Sequence, residues 1–238
     1  MFRRLFAGAL VAGLSADVLA ALLQLAFVVP LIQEAEHFET GALPQGAAEH
    51  DHAQAAPLSA APVAGAAQDH GDSAQGPTMR TLGTVGFFLV SYTGFALVMI
   101  AGFALAERAG HPITARTGVI WGLCGFLAVQ LAPAFGLPPK LPGAHAADLA
   151  ARQLWWAGCI LSTVVGLTLL AFGRNAVTLA LGGLAIILPH LIGAPMAAYG
   201  GVVPPDLAAH FVARALGAGA LCWALLGTIA GVVWERDD

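Results

Sequence analysis

Residues 5–32 read Leu5-Phe6-Ala7-Gly8-Ala9-Leu10-Val11-Ala12-Gly13-Leu14-Ser15-Ala16-Asp17-Val18-Leu19-Ala20-Ala21-Leu22-Leu23-Gln24-Leu25-Ala26-Phe27-Val28-Val29-Pro30-Leu31-Ile32, with Asp17 as the one charged residue. A bilayer core about 30 Å thick needs about 20 helical residues to cross it, and this run exceeds that. It also exceeds the 7–15 apolar residues of a signal-peptide core, so the start Met1-Phe2-Arg3-Arg4 reads as the flank of a retained helix. Five further apolar stretches follow at 82–105, 117–135, 154–172, 176–197 and 208–234. Lipid offers no hydrogen bonds, so each stretch must satisfy its backbone internally as a helix. The alternative, a closed barrel, needs alternation with period two, which these runs lack. The expectation is an all-α polytopic membrane protein of six spans forming a single membrane domain.

The composition agrees. The chain has 238 residues, of which 58% are hydrophobic and 10% charged, whereas a soluble domain averages about 25% charged residues. So few charges cannot cover a water-facing surface, which excludes a soluble enzyme. A net charge of −4 gives nucleic acid no electrostatic footprint. Cys124, Cys159 and Cys222 lie far apart in apolar runs and read as small packing residues, with no Cys-x-x-Cys pair for zinc or redox work.

Arginine and lysine placement orients the chain. With the N-terminus inside, Arg3, Arg4, Arg108, Arg116, Arg174 and Arg236 fall on the inner side and Arg80, Lys140 and Arg152 on the outer. That bias puts both termini in the cytoplasm. Gly173-Arg174-Asn175 reads as a tight turn, with the glycine closing one helix and Asn175 capping the next. Residues 41–80 are Ala, Gly, Pro, Gln, Asp and His with almost no large apolar side chain, a composition expected to be a disordered periplasmic loop.

Chemistry-bearing residues gather in two places. Beyond the first span, Glu34 and His37 at i, i+3 share a helix face, with Glu36 beside them, a spacing that suits a divalent cation. Glu49-His50-Asp51-His52 and Asp69-His70-Gly71-Asp72 follow in the loop; such tracts read either as weak metal capture through His50, His52 and His70 or as a solvated spacer. Inside the membrane, ionisable groups cost about 2.5–3.5 kcal/mol each at the centre and call for a partner or a function. Asp17 and Gln24 lie on one face of the first helix, and Gln130 stands on the third. His190 sits between Pro189 and Pro195, where a broken helix could offer carbonyls to an ion; it reads as a path residue or as a hydrogen-bonded packing histidine. His210 and Arg214 share a face of the last helix, Arg214 being a candidate counter-charge for Asp17.

Lys140 is the only lysine and follows Leu137-Pro138-Pro139, so no nucleotide-binding Gly-x-x-x-x-Gly-Lys exists; Gly-x-Ser-x-Gly and His-Glu-x-x-His are absent too. No catalytic residue and no tightly bound cofactor are expected.

Met1-Phe2-Arg3-Arg4-Leu5-Phe6, Val28-Val29-Pro30-Leu31-Ile32 with Glu34-Ala35-Glu36, Arg152-Gln153-Leu154-Trp155-Trp156, Leu188-Pro189-His190-Leu191-Ile192-Gly193-Ala194-Pro195 and Val203-Pro204-Pro205-Asp206-Leu207-Ala208 occur in this order. Together they resemble the CbtA family of predicted bacterial cobalt transporter subunits, over nearly the whole chain outside 41–80. The resemblance implies cobalt(II) uptake across the inner membrane, a small single-span CbtB-like partner, and a fold described with five spans where six are counted here. It draws attention to Glu34, Glu36 and His190.

The expected function is a permease subunit for a divalent metal, cobalt foremost. Glu34, Glu36, His37 and the loop histidines would capture the ion, and Asp17, Gln24, Gln130, His190, His210 and Arg214 would line or flank its route. Two other readings stand beside it: a haem- or quinone-binding membrane protein using His190 and His210, which lie at different depths, and a membrane sensor or assembly partner that binds metal in its loop.

Overall fold

The computed structural model describes residues 2–40, 77–197 and 201–237. They form α1 (Phe2–Leu23), a π-helical turn π1 (Gln24–Val28), α2 (Val29–Glu39), α3 (Pro77–Arg108), α4 (Ala115–Phe126), a second π turn π2 (Leu127–Leu131), α5 (Ala132–Ala134), α6 (Leu149–Phe172), α7 (Ala176–Ile192) and α8 (Pro205–Asp237). The architecture is all-helical, as the apolar runs demand, and among the described residues the one extended pairing is an isolated bridge between Ala144 and Gly201.

The helix starts have local causes. Thr114 caps α4 by accepting from the Thr117 backbone N–H while Thr117 Oγ1 accepts from the Thr114 N–H. Asn175 and Thr178 repeat this reciprocal cap at α7, and Asp148 accepts from Ala150 N at α6. α1, π1 and α2 run as one rod through Pro30, and α4, π2 and α5 as another through Pro133. Each proline stands two residues past its π turn. Proline removes a donor and crowds the carbonyl four residues back, and a locally widened turn lets the helix pass it without breaking.

Among the described residues, five helical rods are long and apolar enough to cross a membrane: Phe6–Phe38, Val90–Arg108, Ala115–Ala134, Leu149–Phe172 and Pro205–Arg236. The sixth expected span, 176–197, is shorter than its apolar run. α7 stops at Ile192 because Gly193 turns out of the helix at φ +87°, and its 17 residues cover about 26 Å. Packed against α6, α7 still returns the chain towards the end from which α6 starts. The Ala144–Gly201 bridge joins the loop before α6 to the loop before α8, so both helices start at one end and α7 must bring the chain back to it. The loop expected at 41–80 is shorter at its far edge, since residues 77–80 already belong to α3, with Pro77 at the favoured first helical position. The rest of that segment, 41–76, lies outside the described residues.

α1, α3, α4 and α8 form the central bundle, and the α6–α7 hairpin attaches to it through π2 and α5. The tightest seam is α4 against α8. Gly118 and Gly122 on α4 meet Gly227 and Gly231 on α8, two Gly-x-x-x-Gly faces in direct contact. A methyl group on Gly118 would collide with the Gly227 carbonyl, and one on Gly122 with the Trp223 carbonyl. Close backbone approach of this kind substitutes for the hydrophobic drive that lipid removes. At one end of the bundle Phe103 packs edge-on against Trp121 and Trp234, and Trp234 Nε1 donates to Glu107. At the other end, Val28, Leu31 and Ala35 pack with Leu141, Leu207 and Phe211.

Gly122→Leu or Gly227→Leu is expected to destabilise the detergent-solubilised protein by about 1–3 kcal/mol or more through overpacking. Gly217→Ala, where an added methyl meets nothing within 4 Å, is expected to leave thermal unfolding unchanged or slightly raised. Melting followed by monodispersity in detergent checks both.

Candidate functional site

Asp17 lies on the face of α1 turned towards α3 and is 2% exposed. Its environment follows from small neighbours. Gly13, one turn earlier, lets α3 come so close that an added methyl would stand 2.6 Å from the Thr93 Cα. That approach brings Thr93 Oγ1 to 3.3 Å from Asp17 Oδ2, to which it donates. The other carboxylate oxygen, Oδ1, is buried without a hydrogen-bond partner. A carboxyl group left half-satisfied away from water is expensive, and such groups mark a functional requirement more often than a packing one.

Beside it lies a cavity of about 300 Å³. Gln24 from π1, Gln130 from π2, Tyr92 from α3, Trp156 from α6 and Gly219 and Cys222 from α8 are among its walls. Both glutamines sit in π turns, and both line the same space. Gln130 settles its amide against the bare backbone of Gly219, where a methyl would overlap Oε1, and that oxygen has no hydrogen-bond partner. The Tyr92 hydroxyl is within hydrogen-bond reach of the Gln130 amide and the Cys222 thiol, and Asp17 is close enough to act electrostatically on both Tyr92 and Cys222. The cavity therefore leads from the end of the bundle where α6 and α8 begin down to the neighbourhood of Asp17. Beneath it, towards the opposite end, Tyr92, Phe95 and Trp223 interlock with ring centroids 4.8–6.3 Å apart. Met99, Ile100, Phe103 and Leu226 continue that seal.

The sequence-selected residues divide clearly. Asp17, Gln24 and Gln130 come together. His190 does not join them: it is half-buried at the end of α7, edge-on to Phe135 and Trp155 at 6.2 and 5.9 Å. The carbonyls around Pro189 are also spoken for. Pro189 orphans the Ala185 carbonyl, which accepts from Ser162 Oγ of α6, and the Pro189 carbonyl accepts from Gly193 N and from Trp155 Nε1 at 3.2 Å. The proline-flanked element is a stapled helix end, with those two oxygens engaged. Arg214 is not the counter-charge of Asp17; it lies exposed on α8, and Nη1 donates to the Phe27 carbonyl of π1 at 3.3 Å. His210 is likewise exposed on the outer face of α8. On α2, Glu34 and His37 are exposed while Glu36 is partly covered. No group of three or more His, Cys, Asp and Glu side chains stands ready to hold a metal among the described residues. His50, His52 and His70 lie outside them.

Sequence reading missed Tyr92 and the π turns. The spacing Gln24 to Pro30 and Gln130 to Pro133, a glutamine shortly before a proline in each of two apolar runs, was the available signal.

A buried carboxyl group thus lies close to a cavity of mixed polar and apolar lining inside a helical bundle. The family model for the probable cobalt transporter subunit CbtA matches residues 2–235. The chain belongs to the CbtA family. Nearly the whole chain is covered, so the cavity, the π turns and the α6–α7 hairpin all fall within the family match, and the family is one of transporter subunits, not of enzymes. No curated protein and no solved structure matches the chain. A CbtA chain is thus a multi-pass membrane protein with a transport role.

Ser162→Ala is expected to loosen the α6–α7 hairpin by about 1 kcal/mol, the net worth of one hydrogen bond, because the Ala185 carbonyl then has no donor. Faster amide exchange in α7, with the central bundle unchanged, is the measurement.

Proposed function

We propose that this CbtA chain is a permease subunit that takes up a divalent transition metal, cobalt(II) foremost, through the cavity between π1 and π2. The observation that carries the reading is the unpartnered Asp17 oxygen beneath that cavity. Negative charge held without full compensation in a low-dielectric bundle attracts a cation far more strongly than the same charge in water. Gln24 and Gln130 supply amide oxygens that replace part of the ion's hydration shell, and Tyr92 stands between them and Asp17.

In this reading the end bearing α2 faces outward, in the periplasm of a bacterial inner membrane, and the N-terminus lies in the cytoplasm. Glu34, Glu36, His37 and the histidines of 41–76, His50, His52 and His70, raise the local cation concentration at the mouth. His190 and Arg214 hold structure at that end. A divalent cation moving inward down 100 mV gains about 4.6 kcal/mol, twice the single-charge value, so the membrane potential suffices as a driving force. The aromatic layer of Tyr92, Phe95 and Trp223 then has to part for release to the inside. A small single-span CbtB-like subunit is the proposed partner in that step.

Radioactive cobalt uptake by cells expressing the chain, alone and with the partner, tests this. Asp17→Asn keeps the size and removes the charge, and is expected to lower the maximal rate by about tenfold or more, equivalent to about 1.4 kcal/mol of lost attraction. His190→Ala is expected to leave the rate nearly unchanged. Equal uptake by wild type and Asp17→Asn would reject the route.

A further inference from the structure

Lys140 follows Leu137-Pro138-Pro139, and Arg152 stands in the first turn of α6; the fold brings both to the wall of a second cavity, of about 360 Å³. Pro138, Pro139, Gln153 and Trp156 line it as well. The two prolines have fixed φ and no backbone N–H, so that side of the wall is stiff. The Lys140 ammonium is held over the turn that follows it by donating to the His145 carbonyl at 2.5 Å. The Arg152 side chain is half-buried, and among the described residues its guanidinium has no hydrogen-bond or ion-pair partner. Asp148, one turn earlier, is engaged at the start of α6, where it accepts from Ala150 N at 3.1 Å. Among the described residues no Asp or Glu lines this cavity.

We propose that this cavity binds the headgroup of an anionic phospholipid, with Arg152 and Lys140 taking the phosphate and Gln153 and the Trp156 indole taking the polar groups beside it. The proposal stands apart from the transport reading, since it needs only a bilayer around the helices.

Charge and position together select that ligand. Two cations from separate segments share one cavity with no carboxylate to neutralise them, and a guanidinium with free N–H groups matches phosphate oxygens in a fork. The cavity also lies at the edge of the apolar belt. Leu154, next to Gln153, and Phe135, two residues before Leu137, are exposed, as side chains facing acyl chains are. Trp155 and Trp156 stand in the same turn of α6, and indole rings favour the headgroup level of a bilayer. An occupant with its charge in the cavity and its tails on that apolar surface meets both conditions, whereas a free phosphate meets only the first. Leu137, Pro139 and Trp156 are shared with the cavity that holds Gln24 and Gln130. Uncompensated positive charge there would repel any cation in the neighbouring space, and a bound phosphate offsets it.

The test uses the full chain, purified in detergent and stripped of lipid. It is titrated with phosphatidylglycerol and with phosphatidylcholine of the same acyl chains, and bound lipid is counted by native mass spectrometry. One phosphatidylglycerol is expected to bind at least about tenfold more tightly than phosphatidylcholine, the scale that two basic residues beside an anionic lipid support. Lys140→Gln/Arg152→Gln should bring the two lipids to within about twofold of each other. Arg116→Gln/Arg174→Gln, which removes cations at the opposite end of the helices, should leave the preference intact. Thermal melting shows that each variant is folded. Should the first pair not fold, Lys140→Gln alone, at an exposed loop position, replaces it and should weaken phosphatidylglycerol by about fivefold. A wild type without preference, a preference unchanged by the variant used, or one lost equally in the Arg116/Arg174 pair overturns the site. Millimolar inorganic phosphate should leave the lipid bound; displacement at that concentration makes the cavity a site for a free anion and overturns the lipid assignment.

Discussion

The backbone contact between α4 and α8 is the constraint on which the other features depend. Glycines on both sides let the two helices meet without side chains between them. That closeness brings Gly219 against the Gln130 amide and turns Cys222 into the cavity wall. It also leaves Trp223 to fill the next layer with Phe95 and Tyr92. In lipid, where burying apolar area yields no net gain, shape at such a seam is the main cohesive term.

Two kinds of polar group live in this bundle, and they are treated in opposite ways. Those created by backbone chemistry are neutralised. Ser162 and Trp155 cover carbonyls around Pro189, Arg214 covers Phe27, and the capping pairs at Thr114 and Asn175 close helix starts. Four buried atoms among the described residues are left short: Asp17 Oδ1, Gln130 Oε1, Thr163 Oγ1 and Trp223 Nε1 have no hydrogen-bond partner. A molecule that spends a serine and a tryptophan on one proline has the means to satisfy a carboxylate.

The π turns link these two behaviours. Each lies just before a proline and carries a glutamine, so the backbone irregularity needed to accommodate the proline also aims an amide inward. The same device on two rods that are far apart in the chain makes a paired arrangement around one space.

Much of this was legible in one dimension. Bilayer thickness and the ban on unbonded backbone in lipid make six apolar runs into helices whatever their neighbours, and Asp17, Gln24 and Gln130 stand out there by the cost of burying them. The turn at Gly173–Asn175 was readable too, because a cap is a contact between residues three apart. What needed the folded chain were the contacts between distant residues. Spacing could not tell that Arg214 faces Phe27 and leaves Asp17 alone, that the Pro189 element is stapled by Ser162, or that one cysteine of three lines a cavity. Periodicity states which residues share a face of a helix, but the direction that face points is set by how closely neighbouring helices can approach, and here glycines remote in the sequence decide it.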